Sequence, residues 1–521
     1  MQPDVARWCR GRVGGSPLLL LAPHGGRRDP SRPRPRGRRL RVNDLHTADL
    51  AAALAERLDA SLVANVGLDR NDLDLNRLSE VQRRAPWFLE QVEELLGLIL
   101  ARHPRAEVLV VHGWNVVQPR CDVGVGHALA DERDGAAVGE ALTVSVPYLS
   151  GRLGSFRRRC ARDRIEVTYG DRYAARSPNN LLQVFRRARG AARGRLASWL
   201  DAGRVEAVQL ELGVPLRWPG KFRDAFLDAA TEVFGSAHAG DVTCASNAGE
   251  GASPLSRRAL QAYDPRAGIG VVAGVGPIGE GALGGRLLVF PGGQVLELFT
   301  GEARGASGSS VGDLRLEEDG DRLALRFAGP ALHVEDAAAY LDTESALAAS
   351  RLAEVSVDLD FLPLCGRAYG AVRGHVIVDG RAVAVDTHGF GEPLLIRPET
   401  GERRGRTLLA AAFGAHGAVV AELPEGGADG SHVRLTPGRP AETAGATGDI
   451  RLGSDPYTPA ELRIDPCGGE TLIARPVNRM SILRPAGEGT SARITLGVAA
   501  VDGGGSGFYE HTRYVAGPAP E

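Results

Sequence analysis

The apolar pattern changes character part-way along this chain, and no single layer of secondary structure can satisfy both halves. In the first half, residues 17–21, 61–66, 107–111 and 205–210 are near-continuous apolar runs, separated by helix-length amphipathic segments at 47–58, 81–102, 190–200 and 221–234. Strands apolar at successive positions are buried on both faces, as in a largely parallel sheet covered by helices. Thr47 stands where a helix N-cap is expected, since its hydroxyl can take a free amide of the first turn. In the second half the runs are short and alternating, as at 287–290, 322–327, 355–361 and 493–498, with glycine-rich turns between them. That pattern belongs to an antiparallel sandwich or barrel. Between the halves, residues 247–285 are rich in Gly, Ala, Ser and Pro and read as a connection. A chain of 521 residues exceeds what one core usually serves. The expected organisation is an α/β domain at 1–250, a linker at 251–284 and an all-β domain at 285–521.

Composition removes several function classes. With 43% hydrophobic and 24% charged residues the chain has an ordinary globular balance, and a formal charge of −2 offers nucleic acid no general attraction. Lys221 is the only lysine, which sets aside lysine Schiff-base and pyridoxal phosphate chemistry. Six cysteines, Cys9, Cys121, Cys160, Cys244, Cys365 and Cys467, are scattered without a CxxC pair, so neither a thiolate zinc site nor a disulfide scaffold is expected. The first fifteen residues carry charge where a secretory signal has an apolar core, and no apolar stretch is long enough to span a bilayer. A cytoplasmic protein is the expectation.

The residues that carry chemistry sit where the apolar runs of the first half end. His24 and His112 each follow a buried strand and are flanked by glycines that allow close backbone approach. In open α/β sheets, sites gather at the carboxyl ends of strands, so these imidazoles are candidates to converge on a metal ion. A hydrolytic metal site needs about three protein ligands. Asp44, just before a helix, is the third candidate, with Asp29 and His46 as rivals. Glu211 ends another apolar strand, where an acid is costly unless it is paired or working. Residues 69–77, DRNDLDLNR, interrupt a well-patterned region with dense charge. Between His24 and Asp44 runs an arginine-rich loop, Arg27, Arg28, Arg32, Arg34, Arg36, Arg38, Arg39 and Arg41, read either as a solvated loop or as a collar for an anionic substrate.

Taken in order, PHGG (23–26), VNDLHT (42–47), RNDLDLNR (70–77), VVHGW (110–114) and VQLELG (208–213) resemble the N-formylglutamate amidohydrolases. They also resemble, more widely, the zinc carboxypeptidase and aspartoacylase-type deacylases. The resemblance covers about the first 240 residues and implies a phosphorylase/hydrolase-like α/β/α sandwich holding one zinc ion. It implies hydrolysis of the amide of an N-acyl, formylglutamate-like amino acid or a related carboxylate-bearing amide by a metal-activated water. Glu211 would then be the general acid/base, Arg70 would stabilise the oxyanion, and Asn76 and Arg77 would bind the substrate carboxylate. Where carboxypeptidase-type sites have an acid three residues after the first histidine, this chain has Arg27, which leaves the third ligand to come from elsewhere.

The second half, about 285–515, resembles the lipocalin-like hydroxyneurosporene synthase and AttH-type domains. The carrying segments are 327–330, 340–344, 374–380, 386–391 and 507–511. That resemblance implies a lipocalin-like β-barrel with an apolar ligand. The chain reads DTHGFG at 386–391 where the family has G-x-R-D-H-S-W-G, and losing that Trp and Arg puts carotenoid hydration in doubt. Two other readings stay open: a lipocalin-type binding protein with a degenerate hydrolase-like domain, and a lipid-modifying lyase or isomerase using His388, Glu510 or His511.

Overall fold

A computed structural model of the chain describes residues 3–28, 41–127, 142–186, 192, 194–236, 257–279, 281–293, 295–304, 309–365, 368–391, 405–424, 430–437, 439, 442–453, 458–466, 470–485 and 490–516. Among these, residues up to 236 form one compact unit and residues from 257 onward a second.

The first unit is built on strands Cys9–Arg12 (β1), Leu18–Ala22 (β2), Ser61–Asn65 (β3), Ala106–Gly113 (β4), Arg120–Gly124 (β5), Glu166–Tyr169 (β6) and Val205–Leu212 (β7), in the order β1-β3-β2-β4-β7-β5-β6. The central β3-β2-β4-β7 pairs are parallel, β5 runs antiparallel to β7, and β1 runs antiparallel to β3. Alternate side chains feed two cores. Leu18, Leu20, Leu109 and Val208 pack with the helices Thr47–Arg57, Gly154–Arg162 and Lys221–Gly235, whereas Leu19, Leu21, Val108 and Ala207 pack with Leu78–Arg84, Pro86–Leu100 and Gly194–Asp201. This double burial is why the strands are apolar at every position.

Two local expectations change. The segment 81–102 is not one helix: Pro86 brings no N–H and restricts the residue before it, so the first helix ends at Arg84, Ala85 takes φ −139°, and a second helix begins with Pro86. Thr47 is the first helical residue rather than the cap, which is His46 in a left-handed conformation (φ 65°). The Thr47 hydroxyl donates to the Asp44 carbonyl at 2.5 Å.

The second unit is all-β apart from the helix Thr343–Ala349 and short turns of tighter helix. It holds two antiparallel sheets where the sequence suggested one barrel. Ten strands form the first: Arg258–Asp264 (β8), Ile269–Gly279 (β9), Ala282–Phe290 (β10), Leu296–Arg304 (β11), Ser310–Val311 (β12), Leu314–Asp319 (β13), Arg322–Val334 (β14), Arg351–Cys365 (β15), Tyr369–Val378 (β16) and Arg381–Phe390 (β17), with β11 also pairing β14. Eight more follow: Arg406–Ala412 (β18), Ala418–Pro424 (β19), Gly430–Leu435 (β20), Glu442–Leu452 (β21), Pro459–Pro466 (β22), Leu472–Pro485 (β23), Thr490–Val501 (β24) and Gly505–Ala516 (β25). They pair in sequence, and β25 returns to β18, so the ring of pairings is closed.

The stretch 251–284, expected as a linker, instead contributes β8, β9 and the start of β10. Several of its small residues are strand residues, and Gly270 is one that serves close packing. A Cβ on Gly270 would lie 2.6 Å from Val498 Cγ1 on β24. His388, Glu510 and His511, the residues of the lyase or isomerase reading, lie within strands and keep separate partners. His388 stacks on Tyr369 in the ten-stranded sheet, Glu510 pairs with Arg406 at 3.3 Å, and His511 Nδ1 meets Thr407 Oγ1 at 2.9 Å in the ring.

Candidate metal centre

β2 and β4 are adjacent parallel strands, so the residues just past their buried runs share one edge of the sheet. His24 follows β2 and His112 is near the end of β4; both are 1% exposed, with ring centroids 4.7 Å apart. Asp44 reaches them because its amide donates to the His24 carbonyl at 2.9 Å and its own carbonyl closes the turn to Thr47. One oxygen, Asp44 Oδ2, lies 3.2 Å from His24 Nδ1 and 3.0 Å from His112 Nδ1. The candidate ligand atoms of His24, Asp44 and His112 all lie within 4.8 Å of one another. Gly113 explains part of the closeness: a Cβ there would sit 2.4 Å from Arg217 Nη1 and 3.0 Å from Asp44 Cβ. Arg217, fully buried, donates to the carbonyls of Leu45 and Trp114 and so holds the two ligand-bearing segments together.

The donor set suits a divalent ion of the zinc type: two imidazoles and a carboxylate, buried, with both Nδ1 atoms directed at one carboxylate oxygen. Burial pushes the His112 pKa down to about 4 against the Asp44 hydrogen bond, which keeps that ring neutral. For Asp44, burial is outweighed by His24, by hydrogen bonds from both imidazoles and by Arg70, so its carboxyl stays well below the usual range. A residue of the charged run 69–77 that was given no role by the sequence completes the arrangement. Asp74, buried, accepts from His24 Nε2 at 2.6 Å, from the Asn76 amide at 3.0 Å and from Arg41 Nη1 at 2.7 Å. A carboxylate on the far nitrogen of a histidine fixes which nitrogen faces the ion. Nothing in the string marks it out from Asp69 and Asp72 of the same segment.

The rivals fall differently. His46 packs edge-on against Trp218, with ring centroids 4.4 Å apart, and is outside the cluster; Asp29 lies outside the described residues, as do Arg32, Arg34, Arg36, Arg38 and Arg39. Arg70 is tied to the centre directly: Nη1 donates to Asp44 Oδ1 and to the Val42 carbonyl, both at 3.1 Å, while its buried Nε has no hydrogen-bond partner among the described residues. The charge density of 69–77 is explained by stitching to 41–44. The Asn43 side chain accepts from the Arg70 amide and donates to Asp69, and Asn71 exchanges hydrogen bonds with the Arg41 backbone.

Glu211 lies beside His112 in the register of β4 and β7 and opposite Asp122 on β5. Burial first, then the Asp44 charge, raises its pKa well above the ordinary carboxylate value. Gln209 Nε2 donates to Glu211 Oε1 at 2.8 Å, and Asn180 in turn donates to Gln209 at 3.1 Å. Asn76 holds the 179–181 segment by accepting from the Leu181 amide through both its carbonyl and its side chain. Arg77 is half exposed and donates to Glu80 at 3.3 Å, away from the ligand cluster's hydrogen bonds.

The chain matches no family model and no curated protein. Among solved structures it is similar to the N-formylglutamate amidohydrolase of Ralstonia eutropha JMP134, at 16% identity over 44% of this chain and 96% of that one, with a TM-score of 0.30. It is also similar to an AttH-type protein from Nitrosomonas europaea (12% identity, 50% of this chain, 91% of that one, TM-score 0.32). A further likeness is kievitone hydratase from Nectria haematococca (9% identity, 50% and 89%, TM-score 0.27). These are the kinds of protein that the motifs of the two halves resemble. At such scores each is a likeness only, and the chemistry has to come from the site. No helix among the described residues is long and apolar enough to cross a membrane.

Proposed function

We propose that the first unit is a zinc-dependent amidohydrolase acting on an N-acyl amino acid or a related amide that carries a carboxylate. The observation that carries this is the buried His24–Asp44–His112 cluster with a desolvated glutamate beside it on the next strand. His24, Asp44 and His112 would hold the ion, which when bound supplies Lewis acidity that polarises an amide carbonyl and acidifies water.

The protein's own residues account for the remaining steps. Glu211, with its raised pKa, suits a group that takes a proton from water at Oε and returns it to the leaving nitrogen. Gln209 and Asn180 fix the orientation of its carboxyl. Arg70 has its buried Nε unpaired among the described residues, a donor suited to negative charge developing on the carbonyl oxygen. Asn76 and Arg77 are assigned to the substrate carboxylate. Arg77 would exchange its exposed contact with Glu80 for a bidentate one, which is geometrically favourable for a guanidinium.

The test is zinc-loaded protein incubated with formyl, acetyl, succinyl and longer N-acyl amino acids, following amine release. Release from at least one of them, lost on zinc removal and restored by its return, is expected. Absence of release from every one, at confirmed zinc stoichiometry, would remove the proposal.

A further inference from the structure

Glu211 stands at the end of a chain of side-chain amides whose direction is fixed from its far end. Gln209 and Glu211 are two residues apart on β7 and so project from the same face of the sheet. An amide side chain can be turned over, exchanging its oxygen and nitrogen, and only its partners decide which way it stands. Here a backbone group decides. The Leu182 amide donates to Asn180 at 2.8 Å, and an N–H can only donate, so the atom facing it is Asn180 Oδ1. Asn180 Nδ2 is then the atom directed at Gln209, which receives it on Oε1 at 3.1 Å. That leaves Nε2 of Gln209 for Glu211, and it donates to Oε1 at 2.8 Å.

The anchor of this chain is itself docked on the start of the helix Leu78–Arg84. The Leu78 amide donates to the Asn179 carbonyl at 2.8 Å, the Ser79 amide to Asn179 Oδ1 at 2.7 Å, and the Leu181 amide to the Asn76 carbonyl at 2.9 Å. Gln209 is 2% exposed, so water does not compete for its amide. Glu211 Oε1 therefore faces a donor in either protonation state and has no place for a proton. Oε2 accepts no hydrogen bond among the described residues, and the residue keeps 7% exposure.

We propose that Gln209, oriented by Asn180, is a positioning residue that reserves Oε1 of Glu211 as an acceptor and leaves Oε2 as the single oxygen that carries the proton. This assignment rests on the hydrolase reading of the first unit. Oε2 takes a proton from water as that water's oxygen bonds to the amide carbon. It gives the proton to the leaving nitrogen as the C–N bond breaks with its electron pair on nitrogen, and Glu211 ends as a carboxylate again.

Amine release by zinc-loaded, full-length protein tests this with a substrate that the wild type hydrolyses. Asn180→Asp keeps the shape and the bond from the Leu182 amide, but its second oxygen can only accept. Gln209 then turns Nε2 toward Asp and Oε1 toward Glu211, which can pair only by holding a proton there. The expected result is a kcat about 100-fold or more below wild type, with KM within about threefold and zinc stoichiometry unchanged. Asn180→Ala, which lets Gln209 settle on Glu211 unopposed, should lose only about tenfold or less. A purely structural role would rank the two the other way, because aspartate preserves the cap and alanine does not. Adding Gln209→Met to Asn180→Asp removes the turned amide and should recover kcat about tenfold. If Asn180→Asp does not fold, Gln209→Glu against Gln209→Met gives the same ranking. A substrate-free readout stands beside these: the nuclear magnetic resonance signal of the Gln209 side-chain amide, identified by its loss in Gln209→Met, should move in Asn180→Asp and in Glu211→Ala. Asn180→Asp as active as Asn180→Ala, no recovery in the double variant, or an unmoved Gln209 signal would overturn the proposal even where the wild type releases amine. A signal that moves as expected in a wild type that releases none would instead overturn the hydrolase reading, and the proton role with it.

Discussion

Asp74→Asn tests the centre without knowledge of the substrate. The wild-type carboxylate accepts from His24 Nε2 at 2.6 Å and holds that nitrogen protonated, so Nδ1 is the one left to face the ion. Asparagine keeps the shape but can present its amide to Nε2, which favours the tautomer with the proton on Nδ1 and removes a ligand. Loss of such an outer carboxylate costs about 10- to 100-fold in metal affinity, or ~1.4–2.7 kcal/mol. The same change also removes the Arg41 pair, but the Arg41 side chain is 46% exposed, so that contribution is about 1 kcal/mol at most. Arg41→Gln separates the two: it should leave zinc affinity within about threefold. The assay is zinc competition against a chromophoric chelator, with circular dichroism confirming that each variant is folded. Unchanged zinc affinity in folded Asp74→Asn, beside a large loss in His24→Ala, would refute the role given to Asp74.

The remaining predictions address catalysis and modularity. Glu211→Gln should lower kcat about 100-fold or more with zinc stoichiometry unchanged, measured by amine release and metal analysis; full activity would take Glu211 out of the mechanism. Arg77→Lys should raise KM for carboxylate-bearing substrates and leave their amidated counterparts unaffected, because an ammonium cannot reproduce the bidentate contact; equal loss on both would contradict the assignment. A fragment ending at Ala248, where the two units divide, should be soluble, bind zinc stoichiometrically and retain hydrolysis, as checked by gel filtration and metal analysis.

The fold was legible wherever a strand is buried on both faces or alternates cleanly. The runs at 17–21, 107–111 and 205–210 became β2, β4 and β7 with boundary shifts of at most two residues. It was illegible where composition imitates a turn. Residues 257–279 are rich in glycine and alanine yet form β8 and β9, where Gly270 packs against Val498 of another sheet, and local pattern alone carries no trace of that partner. One barrel was expected where two sheets stand for a related reason. Strand signals give the number of runs, while the closure of β25 on β18 is a contact across about a hundred residues of sequence.

The site divides along the same line. His24, Asp44 and His112 could be nominated because each sits at the end of an apolar run or the start of a helix, positions whose location in an α/β sheet is set by topology. Asp74 could not be ranked above Asp69 or Asp72, since nothing in the string says which of several aspartates in one loop turns inward. The structure distinguishes them by what they hold: Asp69 accepts from Asn43 and the Asn71 amide to shape the loop, whereas Asp74 alone accepts from an imidazole of the cluster. Arg217 was equally hidden, because a buried arginine whose partners are two backbone carbonyls and the Asn115 side chain in two other segments leaves no motif. Residues of a type and position fit to hold an ion are constrained by chemistry and show in the sequence. Residues that orient them are constrained by the fold, and their roles appear only when the segments are brought together.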